Sequence, residues 1–207
     1  MVKLEIVFKM TQSIFHGGVR IPTSDSEAES SPEWRQWYAG KSLEHLRLEN
    51  VKAFLKGLTI SFVIDTGYPK SGIVLLTHVY AYKFSGEFRV RCVARGDLQH
   101  PSTVGVTYAP TASMLTVRIF FAVAIEESHT VMNGDVAQAF LQGVQDTPLF
   151  VYAPRSERSF PGEIWQCLLP LYGFKSSAAY WFREARKFVE DLGFVMNPLA
   201  VCHFRKK

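Results

Sequence analysis

Residues 87–95 constrain the fold most, because apolar and basic side chains alternate along this stretch with a period of two. Successive side chains of a β-strand point to opposite faces, so the pattern predicts a strand with one buried face and one guanidinium face. Guanidinium groups suit phosphate oxygens, although arginine stems lying over a solvated sheet face explain the same pattern. Asp97 could also neutralise part of the basic face. The apolar positions are Phe88, Val90, Cys92 and Ala94, and the basic positions are Arg89, Arg91 and Arg95.

The remaining hydrophobic pattern predicts strands interleaved with helices. A strand over 73–79 should pair with the basic strand through a hairpin turn at Ser85-Gly86. Ser113 is the predicted N-cap of one helix, and Gly193 the predicted stop of another. Together these elements predict an α+β fold with a mixed or antiparallel sheet and packed helices. Helices are predicted over 33–50, 114–127 and 177–192, and short strands over 130–132, 149–153 and 164–169.

One domain with a small N-terminal extension is expected. Residues 21–32 are rich in serine, proline and acidic side chains, which predicts a flexible linker. Residues 1–33 would then be an N-terminal extension with this linker, and 34–207 the ordered domain.

The longest apolar run, 119–125, is too short to cross a bilayer, and the first residues lack the pattern of a secretory signal.

Cysteine usage predicts an intracellular protein, in the cytoplasm or the nucleus. Cys92, Cys167 and Cys202 are odd in number and far apart, which argues against a disulfide framework and against a structural zinc site. The histidines are scattered, and none lies at ligand spacing from a cysteine. The net charge of +4 permits a polyanionic partner without requiring one.

Two further segments contain candidate functional residues. Asp135 precedes a short apolar stretch, where its carboxylate could bind a divalent metal; it could equally be a turn residue after Asn133-Gly134 or the cap of a helix over 136–142. In residues 171–177, Gly173 would let the backbone approach a ligand, and Lys175 adds positive charge. A plain strand-to-helix connection explains that segment as well.

Taken in order, four segments resemble the reverse transcriptase of copia-type LTR retrotransposons. Residues 88–99 are similar to the basic strand of its fingers, and 107–111 with 116–118 to the stretch leading into its first palm helix. Residues 135–141, followed by Gly143, are similar to the motif with the first catalytic aspartate. Residues 171–177, with Trp181, resemble its Leu-Tyr-Gly-Leu-Lys block.

The resemblance implies a fold with fingers and part of a palm, and a role for each matching residue. Asp135 would be catalytic and would bind Mg²⁺ together with the Val136 carbonyl. Arg89 and Arg91 would contact the incoming triphosphate. Phe140 would exclude a 2′-hydroxyl, and Gly173 would lie along the nucleotide-binding floor. The implied activity is two-metal, RNA-directed DNA synthesis from deoxynucleoside triphosphates on an RNA or DNA template-primer.

The sequence also departs from the family pattern. Gly134 stands where a bulky apolar residue is usual, and Ala178 replaces a proline. The Tyr-x-Asp-Asp hairpin of the family would follow Phe204, so we expect a chain truncated before it, containing the fingers and the first part of the palm. Such a chain should be catalytically incomplete. The alternative is a non-catalytic nucleic-acid-binding or inert remnant of a retrotransposon polyprotein.

Overall fold

The computed structural model of the protein describes residues 15–16 and 18–206. Residues 1–14 and 17 of the predicted N-terminal extension therefore lie outside the described residues, as does Lys207. The strands are β1 (Phe15–His16), β2 (Val19–Arg20), β3 (Phe54–Leu58), β4 (Val74–Tyr82), β5 (Phe88–Ala94), β6 (Leu149–Tyr152), β7 (Ile164–Cys167), β8 (Phe194–Asn197) and β9 (Ala200–Lys206). The helices are α1 (Asp25–Ser30), α2 (Trp34–Asn50), α3 (Ile60–Asp65), α4 (Met114–Glu126) and α5 (Ser177–Asp191).

A five-stranded mixed sheet forms the centre of the protein. Its strand order is β3-β7-β6-β4-β5, and every neighbouring pair is antiparallel except β4 and β6. Two small antiparallel pairs, β1-β2 and β8-β9, are not hydrogen-bonded to this sheet. The predicted combination of helices with a mixed sheet is confirmed at this level.

The predicted hairpin of the basic strand is confirmed and is longer than expected. Strands β4 and β5 pair in unbroken register from Leu76 opposite Ala94 to Tyr82 opposite Phe88. Alternate residues of β5 are buried, and the arginines lie on the opposite face. The period-two pattern therefore predicted both the strand and its two faces correctly.

Helix α2 covers the free edge of the sheet. Strand β5 is the last strand in the sheet order, so alternate amides of its backbone point away from β4. Gly40 brings α2 against this edge, because a Cβ at Gly40 would lie only 3.1 Å from the carbonyl oxygen of Phe88. Further along α2, the Glu44 side chain accepts a hydrogen bond from the Cys92 amide at 3.3 Å. The edge strand is thereby shielded from pairing with another chain.

The main core lies between the sheet and the connection that leads into α5. It contains side chains from four of the central strands together with Leu48 of α2 and Leu141. Trp165, Cys167 and Leu171 are completely inaccessible to solvent. Because Leu171 and Phe174 pack into this cluster, the core fixes the bend at residues 172–173 relative to the sheet. The three cysteines are all free, as predicted.

The polar segment 21–32 differs from the predicted flexible linker, because it contains helix α1. Ser24 caps this helix by accepting a hydrogen bond from the Glu27 amide at 3.2 Å. Ala28 is buried in a cluster with Trp37, and Asp25 accepts a hydrogen bond from the Tyr80 hydroxyl at 2.8 Å. Composition indicated a solvated segment, whereas the buried Ala28 and the bonded Asp25 help to attach it to the fold.

The segment after α4 differs most from expectation. Residues 129–136 have no regular structure, so the predicted strand over 130–132 is wrong, and Asn133-Gly134 is not a hairpin turn. The predicted helix over 136–142 is reduced to a 3₁₀ turn at Ala139–Gln142. Gln138 precedes this turn with a φ of 53°. A left-handed residue there prevents a longer helix from forming.

Helix α4 begins where Ser113 was predicted to cap it, since the Ser113 hydroxyl accepts a hydrogen bond from the Thr116 amide at 3.0 Å. Helix α4 is much less buried than a core helix, because Ala124 is its one buried residue. Apolar side chains on several faces of α4 are exposed: Met114, Leu115, Ile119, Phe120, Phe121, Val123 and Ile125. None of the helices in the described ranges combines the length and apolar character that a membrane span requires.

Glu163 joins the start of β7 to two neighbouring segments. Its carboxylate accepts hydrogen bonds from the Gly57 amide at 2.9 Å, the Trp165 indole at 2.8 Å and the Ser159 amide. Burial opposes ionisation of Glu163, but these hydrogen bonds outweigh burial and lower the pKa of Glu163.

We expect Glu163→Gln to lower the free energy of unfolding by about 2 kcal/mol at neutral pH, since hydrogen bonds to a charged acceptor are lost. The lowered pKa stabilises the fold above the ordinary glutamate pKa, and this contribution is lost as the pH falls through the pKa of the folded state. Chemical denaturation across the acid range measures both effects. The control Glu190→Gln, which removes an exposed ion pair with Arg186, should cost less than about 0.5 kcal/mol. Equal losses for the two variants would contradict the prediction.

Candidate functional site

A cleft of about 590 Å³ lies beside the basic face of β5. Its walls come from α2, from β5, from the irregular segment before the 3₁₀ turn, and from the bend that precedes α5. The lining residues are Glu44, Arg47, Arg89, Arg91, Asp135, Val136, Ala137, Gln138, Ala139 and Tyr172. Four of the predicted site residues, Arg89, Arg91, Asp135 and Val136, therefore meet in one cleft although the chain supplies them from distant segments.

The three arginines of the basic strand have different surroundings. Arg95 forms a two-point ion pair with Asp97, at 2.9 and 2.7 Å, outside the cleft. Arg89 and Arg91 form no ion pair with any carboxylate in the described part of the chain. The cleft thus retains two guanidinium groups that are available for an anion.

Asp135 lines the same cleft as these arginines and lies on the irregular segment. Its side chain is exposed and forms no hydrogen bond or ion pair with another described residue. Val136, which follows it, also lines the cleft and is half-exposed. An unpaired carboxylate beside an accessible backbone carbonyl provides the oxygen donors that a hard divalent cation prefers.

Tyr172 connects the basic strand to the aspartate segment. The Arg91 guanidinium lies 5.7 Å from the centre of the Tyr172 ring. The ring of Phe140 packs on the same tyrosine, with centroids 5.2 Å apart. Phe140 is half-buried and lies behind Tyr172 and not among the residues that line the cleft.

Gly173 has a structural reason to be glycine. Its φ is +96°, and a Cβ there would overlap the Ala94 carbonyl oxygen and lie 2.6 Å from a methyl group of Val93. The segment that contains Ala94 is equally close to Gly173, since a Cβ at Gly96 would overlap the Gly173 carbonyl oxygen. The Ala94 amide donates a hydrogen bond to the Tyr172 carbonyl at 2.8 Å. The two backbones therefore touch directly, and Gly173 itself does not line the cleft.

Sequence reasoning assigned no role to six of the ten lining residues, including Glu44, Arg47 and Tyr172. Arg47 and Glu44 come from α2, whose hydrophobic pattern predicted a helix without indicating what its polar face meets. Tyr172 was part of the recognised motif but received no role. Its position beside Gly173, directly before a strand-to-helix bend, was the available signal. Lys175 is exposed and does not line the cleft.

The charges of the cleft suit a phosphorylated ligand with a bound cation. Arg47, Arg89 and Arg91 contribute three positive charges, and Glu44 and Asp135 contribute two carboxylates. The Glu44 carboxylate is partly used by the Cys92 amide. Guanidinium groups bind phosphate oxygens, and the unpaired carboxylate of Asp135 provides an oxygen donor for a cation.

The mixed sheet with several helices is compatible with the family that the sequence resembles. The sequence model of the family described as "Reverse transcriptase (RNA-dependent DNA polymerase)" matches residues 68–207. The chain therefore belongs to the reverse transcriptase family.

Curated relatives confirm the copia-type character predicted from the motifs. The chain is 27% identical over 135 residues to the retrovirus-related Pol polyprotein from transposon RE2 of Arabidopsis thaliana, covering 61% of this chain and 9% of that protein. It is 29% identical over 111 residues to the corresponding polyprotein from transposon RE1, covering 52% and 8%. The transposon Ty1-ER2 Gag-Pol polyprotein of Saccharomyces cerevisiae is 25% identical over 116 residues, with coverage of 54% and 6%.

The chain thus spans less than a tenth of the length of these relatives. No solved structure matches it.

We expect Gly173→Ala to lower the free energy of unfolding by about 3 kcal/mol or more, because the new methyl group collides with backbone atoms that cannot move independently. Gly162→Ala is the matched control, since Gly162 has a φ of +79° with open space around the Cβ position. That control should cost only the backbone strain, about 1–2 kcal/mol. Thermal or chemical denaturation measures both variants, and equal destabilisation would show that the contact with Ala94 is not tight.

Proposed function

We propose that the cleft binds the triphosphate of an incoming deoxynucleotide together with a divalent cation, as part of a template-directed DNA polymerase. The observation that carries the proposal is the convergence of Arg89, Arg91 and Asp135 on one cleft. These are the residues to which the resemblance assigned the triphosphate and the metal. The primer-template of RNA or DNA and the four deoxynucleoside triphosphates are its proposed partners.

In this proposal the arginines hold the phosphates. Arg89 and Arg91 are the cleft arginines of β5 without a carboxylate partner in the described residues, so their donors remain available. The Tyr172 ring limits where the Arg91 guanidinium can lie, because the two groups are in cation-π contact. Phosphate binding would therefore need little rearrangement of these side chains.

The cation would bind at Asp135. Reverse transcriptases use divalent metal ions, and we propose Mg²⁺ here because the carboxylate of Asp135 and the carbonyl of Val136 are both oxygen donors. Mg²⁺ held by these oxygens would supply positive charge to offset the negative charge of the phosphates. Phe140 would limit space beneath the sugar through its packing on Tyr172. Gly173 would shape the nucleotide-binding floor by holding that tyrosine against β5.

The small number of unpaired carboxylates in the cleft favours nucleotide binding without nucleotide incorporation. Two-metal chemistry requires carboxylates that converge on both ions. Asp135 is the one carboxylate of the cleft without a partner in the described residues, since Glu44 accepts from the Cys92 amide. We therefore propose that this chain alone holds the nucleotide but does not incorporate it, and that further carboxylates complete the centre in an active polymerase.

The arrangement of elements supports the polymerase interpretation. We propose that the β4-β5 hairpin with α2 forms the fingers, and that α4 with residues 135–142 forms the first part of the palm. The domain would cover residues 34–207, with α1 attached to its outer side through Ala28 and Asp25.

A second candidate function is nucleic-acid binding without catalysis. It is favoured by the same unpaired arginines, which suit the phosphates of a duplex as well as those of a triphosphate. The two functions differ in whether the divalent cation and Asp135 contribute to binding.

We expect Arg91→Gln to weaken binding of a Mg²⁺-deoxynucleoside triphosphate about tenfold, since one guanidinium-phosphate contact at an exposed site is lost. Asp135→Asn should remove the increase in affinity that Mg²⁺ provides and leave the metal-free affinity unchanged. Isothermal titration calorimetry with and without Mg²⁺ measures these effects. The matched control is Arg186→Gln, because Arg186 lies on α5 and pairs with Glu190 at 2.8 Å. Equal affinities for the Arg91 and Arg186 variants would refute the proposal.

We expect the salt dependence of primer-template binding to separate the two functions. In a binding module that uses the basic strand, the double variant Arg89→Gln/Arg91→Gln should reduce the slope of log affinity against log salt by about 2, one unit for each lost phosphate contact. Fluorescence anisotropy at several salt concentrations measures the slope. A reduced slope without any Mg²⁺ effect on nucleotide binding would favour the non-catalytic function. An unchanged slope would exclude the basic strand from duplex contact.

A further inference from the structure

We infer that His45, His78 and Cys92 form a binding site for a zinc-type transition-metal ion, distinct from the proposed nucleotide cleft. Their donor atoms, two imidazole nitrogens and one sulfur, all lie within 4.8 Å of one another. None of the three residues lines the cleft. Spacing in the sequence argued against a zinc site, whereas the fold brings these residues together from three elements.

Strand register places two of the ligands. His78 on β4 lies directly opposite Cys92 on β5, so both side chains share the buried face of the hairpin. His78 is 4% exposed and Cys92 is fully buried. Helix α2 runs along β5 and adds His45, whose Nε2 lies 2.8 Å from Nε2 of His78.

The donor set fits zinc in type and approximate distance. Imidazole nitrogen and thiolate sulfur suit Zn²⁺, whereas Mg²⁺ prefers oxygen ligands. Two nitrogens on a tetrahedral zinc ion are roughly 3.3 Å apart. The histidine nitrogens therefore need to separate only slightly, and the sulfur needs to move inward. Three protein ligands leave a fourth position, and Glu157 Oε1 lies 3.9 Å from Nε2 of His45.

Outer contacts already orient His78 as a ligand. The Asp25 carboxylate lies 3.0 Å from Nδ1 of His78, which directs Nε2 of His78 towards His45. Metal-binding histidines usually have such a carboxylate on their other nitrogen. Tyr80 donates to the same carboxylate at 2.8 Å, and Lys41 lies 3.4 Å from it. The proposed site therefore attaches α1 and α2 to the central sheet.

Loading of the proposed site is coupled to proton release, because the Cys92 thiol must lose its proton to bind a metal. Coordination deprotonates a thiol, so loading forms the metal-sulfur bond and releases the Cys92 proton to solvent.

The test titrates the metal-free full chain with Co²⁺, which reports thiolate ligation through charge-transfer absorption. We expect one equivalent to bind with this absorption, and Zn²⁺ to displace it. Cys92→Ser should lose the absorption, and the matched control Cys202→Ser, which alters the partly exposed thiol of β9, should retain it. Asp25→Asn should keep the spectrum and weaken affinity about 10- to 100-fold.

His45→Gln provides a second route if Cys92→Ser fails to fold, because His45 is the least buried of the three ligands. Zn²⁺ should raise the melting temperature of the wild-type chain but not of His45→Gln, since binding to the folded state stabilises it. His129→Gln, which alters an exposed histidine, should respond like the wild type. Cobalt binding without thiolate absorption, or an equal zinc response in both histidine variants, would overturn the site and leave only a histidine-histidine hydrogen bond.

Discussion

The outward backbone edge of strand β5 is the constraint on which the cleft depends. Its Cys92 amide is bonded by Glu44 of α2, and its Ala94 amide by the Tyr172 carbonyl. A buried amide without a partner costs about 1–3 kcal/mol, so both neighbours are held at fixed distances from the strand. The side chains of β5 alternate between two faces. One face packs into the core, and the other places Arg89 and Arg91 in the cleft.

Helix α2 lets one short stretch of chain contribute to two chemically different centres. Glu44 and Arg47 line the cleft, whereas His45 faces His78 on the buried side of the hairpin. Neighbouring helical residues point in different directions, so one turn of helix can contribute to both centres. The oxygen-rich centre and the nitrogen-sulfur centre would also select different metals, because hard and borderline-soft ions prefer different ligands.

Local patterns predicted much of the secondary structure. The period-two alternation predicted β5, and Ser113 and Gly193 predicted where α4 begins and where α5 ends. Sequence alone could not predict contacts between distant segments, such as the parallel pairing of β4 with β6 or the meeting of His45, His78 and Cys92. For the cleft, the resemblance supplied Arg89, Arg91 and Asp135, but Arg47 and Tyr172 depend on packing that no local pattern encodes. The polar composition of residues 21–32 predicted a flexible linker, whereas the Asp25 carboxylate in this segment is hydrogen-bonded to Tyr80.

The direct backbone contact between Gly96 and Gly173 has a consequence for how copies of this sequence decay. A transposable-element lineage accumulates random codon changes once selection on the copy ceases, and almost any amino-acid change at either glycine adds a β-carbon. Most surface positions absorb such changes with little effect on stability, whereas a side chain at either of these positions collides with backbone atoms. A change in either glycine codon therefore lowers the stability of the folded copy far more than a typical surface change.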